Sequence, residues 1–202
     1  MAPADRRQVI IERVTGEGLR RHIPDLARLR IQVFRDWPYL YEGDEAYERR
    51  YLETYLRSPR SIVVLALDGD RAVGASTALP LADEAAYVTQ PFTARGLDIA
   101  RFFYFGESVL DLTYRGQGIG VRFFEEREAH ARSFGTFETV CFCAVQRPDD
   151  HPLKPGDYVP LDAFWNRRGY VKDPGFITHF PWRDIGEAEE TEKPMAFWFK
   201  RL

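Results

Sequence analysis

The stretch Tyr104-Phe-Gly-Glu-Ser-Val-Leu-Asp-Leu-Thr-Tyr-Arg-Gly-Gln-Gly-Ile-Gly-Val-Arg-Phe-Phe124 decides how this chain folds. Up to Leu112 it is apolar on both faces, the pattern of a central strand. Arg115-Gly116-Gln117-Gly118-Ile119-Gly120 then reads as a tight turn, and the spacing predicts a helix over residues 117–134. Ile119, Phe123, Ala131 and Phe134 fall on one stripe of that helix, with Phe124 beside it. The first N–H groups of a helix have no partner within it, and its dipole is positive at that end. Glycines carry no Cβ to hold an anion away, and Arg115 adds a fixed cation. Strand, glycine turn and helix in this order predict a ligand that carries phosphate or pyrophosphate.

Two common phosphate sites are excluded. A P-loop needs Gly-Lys-Ser/Thr at the turn, which is absent. A dinucleotide turn needs a third glycine where this chain has Val121. The stretch instead resembles the acyl-coenzyme A signature Arg/Gln-x-x-Gly-x-Gly/Ala of the GNAT superfamily of N-acetyltransferases. Arg115, Gly118 and Gly120 meet its fixed positions, and Tyr114 before the arginine is also common there. The resemblance directly covers residues 104–171, and the order of elements is compatible with the whole chain. It implies a mixed α/β (α+β) fold with a central sheet of about six to seven strands, splayed in the middle and flanked by helices. It implies one such domain over residues 1–202. Acetyl-CoA is then the cosubstrate, with no metal. Its pantetheine arm would lie along the central strand near Ser108 and Val109. Its pyrophosphate would meet Arg115, Gln117, Gly118, Gly120 and Val121.

The composition agrees. The 202 residues are 45% hydrophobic and 14% aromatic, enough for a sizeable core. Twenty-eight basic side chains against 31 acidic ones give a net charge near −3, with no basic arm to indicate nucleic acid. Cys141 and Cys143 are two apart on an expected strand, too distant to bridge easily; reduced thiols suit the cytoplasm. No run approaches the ~20 apolar residues of a membrane helix, and no leader pattern opens the chain. The expected partner is a small-molecule amine or a peptide, with neither nucleic acid nor membrane; the resemblance also allows a homodimer.

In chain order, residues 8–14 read as a first strand and 24–34 as a helix opened by Pro24-Asp25. An aromatic, acidic loop over 35–43 precedes a helix over 44–56. Strands over 61–67 and 72–79 flank the hairpin signal Asp68-Gly69-Asp70-Arg71. Residues 80–100 are an insertion by the standard of the resembled family; its helical sequence is interrupted by Gln90-Pro91, and it is read as a wall of the acceptor pocket or a surface excursion. A strand over 138–145, a loop over 147–160, a short helix over 161–168 capped by Gly169, and strands over 176–182 and 195–200 complete the chain; the acidic segment 186–193 reads as solvated.

Glu107 is the principal candidate for catalysis. It interrupts an apolar strand, where burial favours the neutral acid, and several members of the resembled family carry a glutamate on this strand as general base. The alternative is a structural ion pair with an arginine such as Arg101. The family's second signature, Leu-Tyr-x-x-x-Gly-Phe, is matched by Phe164-Trp165-Asn166-Arg167-Arg168-Gly169-Tyr170. Trp165 stands where that signature has a proton-donating tyrosine, and Asn166 is out of register with the family's usual asparagine. The thiolate then leaves unaided, or Tyr158 or Tyr104 substitutes. Cys143 reads as a core thiol, since no local Cys-His-Asp set supports a nucleophile, and the four histidines show no metal spacing. For the acceptor, Asp36, Tyr39, Tyr41 and Glu42 supply aromatic and acidic groups suited to a cationic amine, and His151 lies in a loop near the expected pocket. The expected function is N-acetyl transfer to a primary amine by direct attack, with backbone at Val109 polarising the thioester. The alternatives are a non-catalytic CoA-binding sensor or interaction protein of the same fold and an unrelated phosphate-ligand binder.

Overall fold

The computed structural model describes residues 9–202. Seven strands form one sheet: β1 (Ile10–Val14), β2 (Ile62–Asp68), β3 (Arg71–Pro80), β4 (Phe102–Leu110), β5 (Thr139–Val145), β6 (Val171–Trp182) and β7 (Thr191–Arg201). Their spatial order is β1-β2-β3-β4-β5-β7-β6. Every neighbouring pair is antiparallel except β4 and β5. That parallel pair is joined only over Phe102–Tyr104 and Thr139–Cys141. Beyond Tyr104 the two strands part, β4 staying with β3 and β5 with β7, and a V-shaped gap opens in mid-sheet.

The helices α1 (Ile23–Phe34), α2 (Glu45–Arg57) and α3 (Ala86–Thr93) cover one face; α4 (Ile119–Ser133) and α5 (Asp162–Asn166) cover the other. Asp44 caps α2 by accepting from Tyr47 N at 2.7 Å. Gly169, at φ +84°, ends α5 in a Schellman turn, with Tyr170 N bonded to Trp165 O and Gly169 N to Asn166 O.

The sheet extends further than the sequence pattern indicates. The final pair runs over Val171–Trp182 and Thr191–Arg201, and Lys193, expected in a solvated segment, is buried against Asp184 at 3.5 Å. The central strand stops at Leu110 rather than Leu112, because a 3₁₀ turn begins at Leu112. Residue 8, assigned to the first strand, lies outside the described residues. Nor does Pro91 break its helix: α3 runs through it. A proline leaves the carbonyl four residues back without its usual donor. That carbonyl, Tyr87 O, accepts from the Thr178 hydroxyl of β6, which tethers the insertion to the sheet. Thr178→Val is expected to cost about 0.5–1.5 kcal/mol, the net worth of one part-buried hydrogen bond, read as a lower urea midpoint.

A bulge in β4 positions the site. Ser76 pairs with Ser108 but Ala78 pairs with Phe105, so one extra residue is inserted in β4 between Phe105 and Ser108. Without it, strand alternation would turn Glu107 toward α4; with it, Glu107 points to α1 and α2. Gly106 is needed there, since a Cβ would meet the Tyr55 hydroxyl and come within 2.6 Å of Thr77 Oγ1. Gly106→Ala is expected to destabilise by about 1–3 kcal/mol, measured by urea unfolding.

Candidate active site

Glu107 is 5% exposed. Its Oε2 lies 2.6 Å from Arg30 Nη1, accepts from Tyr51 OH at 3.1 Å and from Tyr55 OH at 3.5 Å. The backbone is tied into the same ring: Glu107 N donates to Thr77 Oγ1 at 3.2 Å, and Thr77 OH donates to Tyr55 Oη at 2.8 Å. Arg30 also bonds Glu48, so one guanidinium serves two carboxylates. It lies 4.2 Å from the Tyr51 ring centre and 5.1 Å from that of Phe34. The partner of Glu107 is therefore Arg30, not Arg101, which bonds Glu138. Glu107 Oε1 is buried with no hydrogen-bond partner.

From the opposite face Arg127, 1% exposed, fixes the bulge. It donates to Thr77 O and Glu107 O, both at 3.2 Å, and to Ser108 Oγ at 2.9 Å. The rings of Phe105 and Phe124 flank it at 4.3 and 4.9 Å, and burial pulls its pKa down to about 10. Arg30 and Arg127 were missed in the sequence. Each stands where an apolar stripe should continue, four residues after Leu26 and Phe123.

Above the bulge, β4 presents a free edge to the gap. Asp111 N donates to Val73 O at 2.9 Å, so by antiparallel alternation Val109 also directs its N–H and C=O to β3. This corrects the assignment of Val109: its backbone is engaged within the sheet. The groups facing the gap belong to Ser108 and to Leu110, which sequence reasoning overlooked.

The turn after β4 is open. Gly116 and Gly118 have φ of +75° and +80°, and a Cβ at either would meet nothing within 4 Å. Gly118 is the N-cap of α4. Helix geometry leaves the N–H groups of Ile119 and Gly120 without a partner. Val121 N is already bonded to Gly118 O at 3.0 Å, so the assignment of Val121 as a phosphate donor is also corrected. Gly120 has a second use, since its missing Cβ admits the Phe164 ring, which would lie 3.3 Å from it. The side chains of Arg115 and Gln117 are exposed, reaching back to Leu110 O and Thr113 O at 3.4 and 3.3 Å. The turn and the free edge of β4 thus fit a ligand with a pyrophosphate and an extended, amide-bearing arm.

On the α1/α2 side a cavity of about 100 Å³ holds Glu107 among Tyr39, Tyr51, Tyr104, Cys143 and Trp182. Of the five expected acceptor residues, Tyr39 and Tyr41 line it. Asp36 is exposed, and Glu42 pairs with Arg35 at 3.0 Å. His151 packs on Trp37 at 4.9 Å between ring centres, with Tyr158 on the same indole at 6.0 Å. Burial pushes the Cys143 thiol up to about 12, and Tyr104 OH lies 3.2 Å from its sulfur. It is inert as a nucleophile near neutral pH. Burial also raises the Tyr104 and Tyr158 hydroxyls. Trp165 packs 5.0 Å from both Phe142 and Trp198. Among the described residues, no group of three or more His, Cys, Asp or Glu is placed to hold a metal, and no helix is long and apolar enough to cross a membrane.

Glu84, in the inserted segment, lines an adjoining groove. Its Oε2 accepts from Ala85 N at 3.1 Å, and its Oε1 is buried without a partner. Burial first, and then the charge of Glu107, push its pKa from 4.5 up to about 7. The folded state then holds a proton that the unfolded chain releases, so stability falls as pH rises from about 4.5 to about 7 and is level above that. Glu84→Gln removes this loss. Its thermal midpoint should exceed the unmodified protein's near pH 8 but not near pH 4; equal gaps at both would contradict the assignment.

No protein-family model matches the chain, and no curated protein matches it by sequence. Solved structures do match. A ribosomal-protein-alanine N-acetyltransferase from Brucella melitensis is similar at TM-score 0.62 and 15% identity, over 96% of this chain and 99% of that one. A putative acetyltransferase from Acinetobacter baylyi ADP1 is similar at 0.63 and 11%, over 96% and 93%. An acetyltransferase of the GNAT family from Streptococcus pneumoniae is similar at 0.57 and 13%, over 96% and 99%. At such identities the likeness establishes the fold.

Proposed function

We propose that this chain, which has the GNAT fold, transfers an acetyl group from acetyl-CoA to a primary amine by direct attack. The observation that carries the reading is the gap between β4 and β5, with the open glycine turn at its end and the buried carboxylate of Glu107 beside it. Acetyl-CoA supplies the activated acetyl group. The N–H groups of Ile119 and Gly120, with Gly118 and Arg115, hold its pyrophosphate. The edge at Ser108 and Leu110 takes the pantetheine arm as an added strand would, and a backbone N–H there polarises the thioester carbonyl. The amine nitrogen bonds to the acetyl carbon, the carbon–sulfur bond breaks and CoA leaves as the thiolate, while Glu107 Oε1 takes the proton that the amine sheds, directly or through water. Tyr51, Tyr55 and Arg30 hold Oε2 and so fix the carboxylate's direction.

One observation favours a second reading, a CoA-binding protein without turnover. Trp165, at the position of the usual acid, is committed to packing between Phe142 and Trp198 and supplies no proton. Release of free thiol from acetyl-CoA with a panel of primary amines separates the two. Amine-dependent release supports acetyl transfer; saturable coenzyme binding with no release by any amine supports the second reading.

A further inference from the structure

Two cavities lie side by side on the α1/α2 face, with Tyr51 and Tyr87 in the wall of both. One is the aromatic cavity that holds Glu107. The other is a groove of about 440 Å³ between α2 and the turn before α3, and it holds Glu84. Glu107 lines the first and Glu84 the second, and each has a buried carboxylate oxygen, Oε1, that accepts no hydrogen bond. Glu48, fully buried, has a third. Charge on this face is out of balance. Arg30 bonds Glu48 and Glu107, and among the described residues no cation is paired with Glu84. Asp83 accepts from the Ser58 hydroxyl at 2.6 Å, and Arg57 at the groove is held by Glu53 at 2.7 Å. Arg30 is thus shared by two carboxylates, and among the described residues Glu84 has no cation beside it.

We infer that the acceptor is a short aliphatic dication, its reacting amine against Glu107 and a second ammonium against Glu84. The inference rests on the acetyl-transfer reading of the site. Tyr51 and Tyr87 border both cavities, and aromatic rings suit both the methylene chain and the cations. A second ammonium gives Glu84 the counter-charge it lacks and holds it ionised near neutral pH. A monoamine leaves that carboxylate unmet, which is how a buried polar group discriminates between substrates.

The test compares 1,4-diaminobutane with n-butylamine. In the unmodified protein the kcat/KM ratio should favour the diamine by about 10-fold or more, and in Glu84→Gln it should collapse toward one. Equal kcat/KM values, or a ratio that survives Glu84→Gln, would overturn the proposal. Calorimetric titration of both amines in the presence of CoA reads the same preference without turnover. Diamine binding that weakens about 10-fold in Glu84→Gln supports it even where no acetyl group moves, an outcome that defeats acetyl transfer but not the dication site. No diamine binding at millimolar concentration would overturn it.

Discussion

Glu107→Gln is expected to lower kcat by roughly 10²–10⁴-fold, the range for loss of a positioned general base, and to leave acetyl-CoA affinity within about twofold. The substitution is isosteric. The amide that replaces the carboxylate keeps an oxygen for Arg30, Tyr51 and Tyr55, so the bulge and its ring of hydrogen bonds remain. What goes is the capacity of the second oxygen to take a proton. The coenzyme contacts lie elsewhere, on the turn at Gly118 and the edge at Ser108 and Leu110, so the effect belongs to kcat. Steady-state kinetics with a coenzyme titration check this. Full kcat near neutral pH would remove Glu107 from the role of base and leave it as a structural partner of Arg30.

Arg30→Leu is expected to cost about 3–5 kcal/mol of stability, the range for breaking a buried pair by deleting one partner. The magnitude follows from what is left behind. Glu48 is fully buried and Glu107 nearly so, and both lose their cation at once. The rings of Phe34 and Tyr51 lose the guanidinium between them as well. Arg30→Leu combined with Glu48→Leu should recover part of the loss, since one stranded charge is then removed. Urea unfolding followed by circular dichroism measures both. A loss below about 1 kcal/mol for Arg30→Leu would mean that these groups behave as surface ions.

The glycine turn was legible in the sequence because local chemistry dictates it: an open left-handed turn before a helix calls for glycine at Gly116 and Gly118 whatever packs elsewhere. The central strand and the hairpin of β2 and β3 were legible for the same reason, since their apolar runs and turn residues are local signals. Which oxygen or amide faces the gap was not. That depends on the bulge at Gly106, which is a property of pairing with β3, and the pairing cannot be read from one strand. The misassignment of Val109 follows from this. The partner of Glu107 was also hidden, because Arg30 lies far earlier in the chain and only the packing of α1 under the sheet brings it there. Pro91 shows the same limit. As a local signal it says break, and a hydroxyl from β6 satisfies the carbonyl it frees.

The central claim is that the turn after β4 and the adjoining strand edge form an acyl-coenzyme site. Its most direct test is a calorimetric titration of acetyl-CoA into the unmodified protein and into Gly118→Asp. Aspartate is among the residues that tolerate the left-handed region, and its carboxylate would project where the pyrophosphate should lie. Saturable binding in the unmodified protein, lost in a Gly118→Asp variant that still melts cooperatively, is the predicted result. No binding by the unmodified protein at millimolar acetyl-CoA, or equal binding by both, would contradict it.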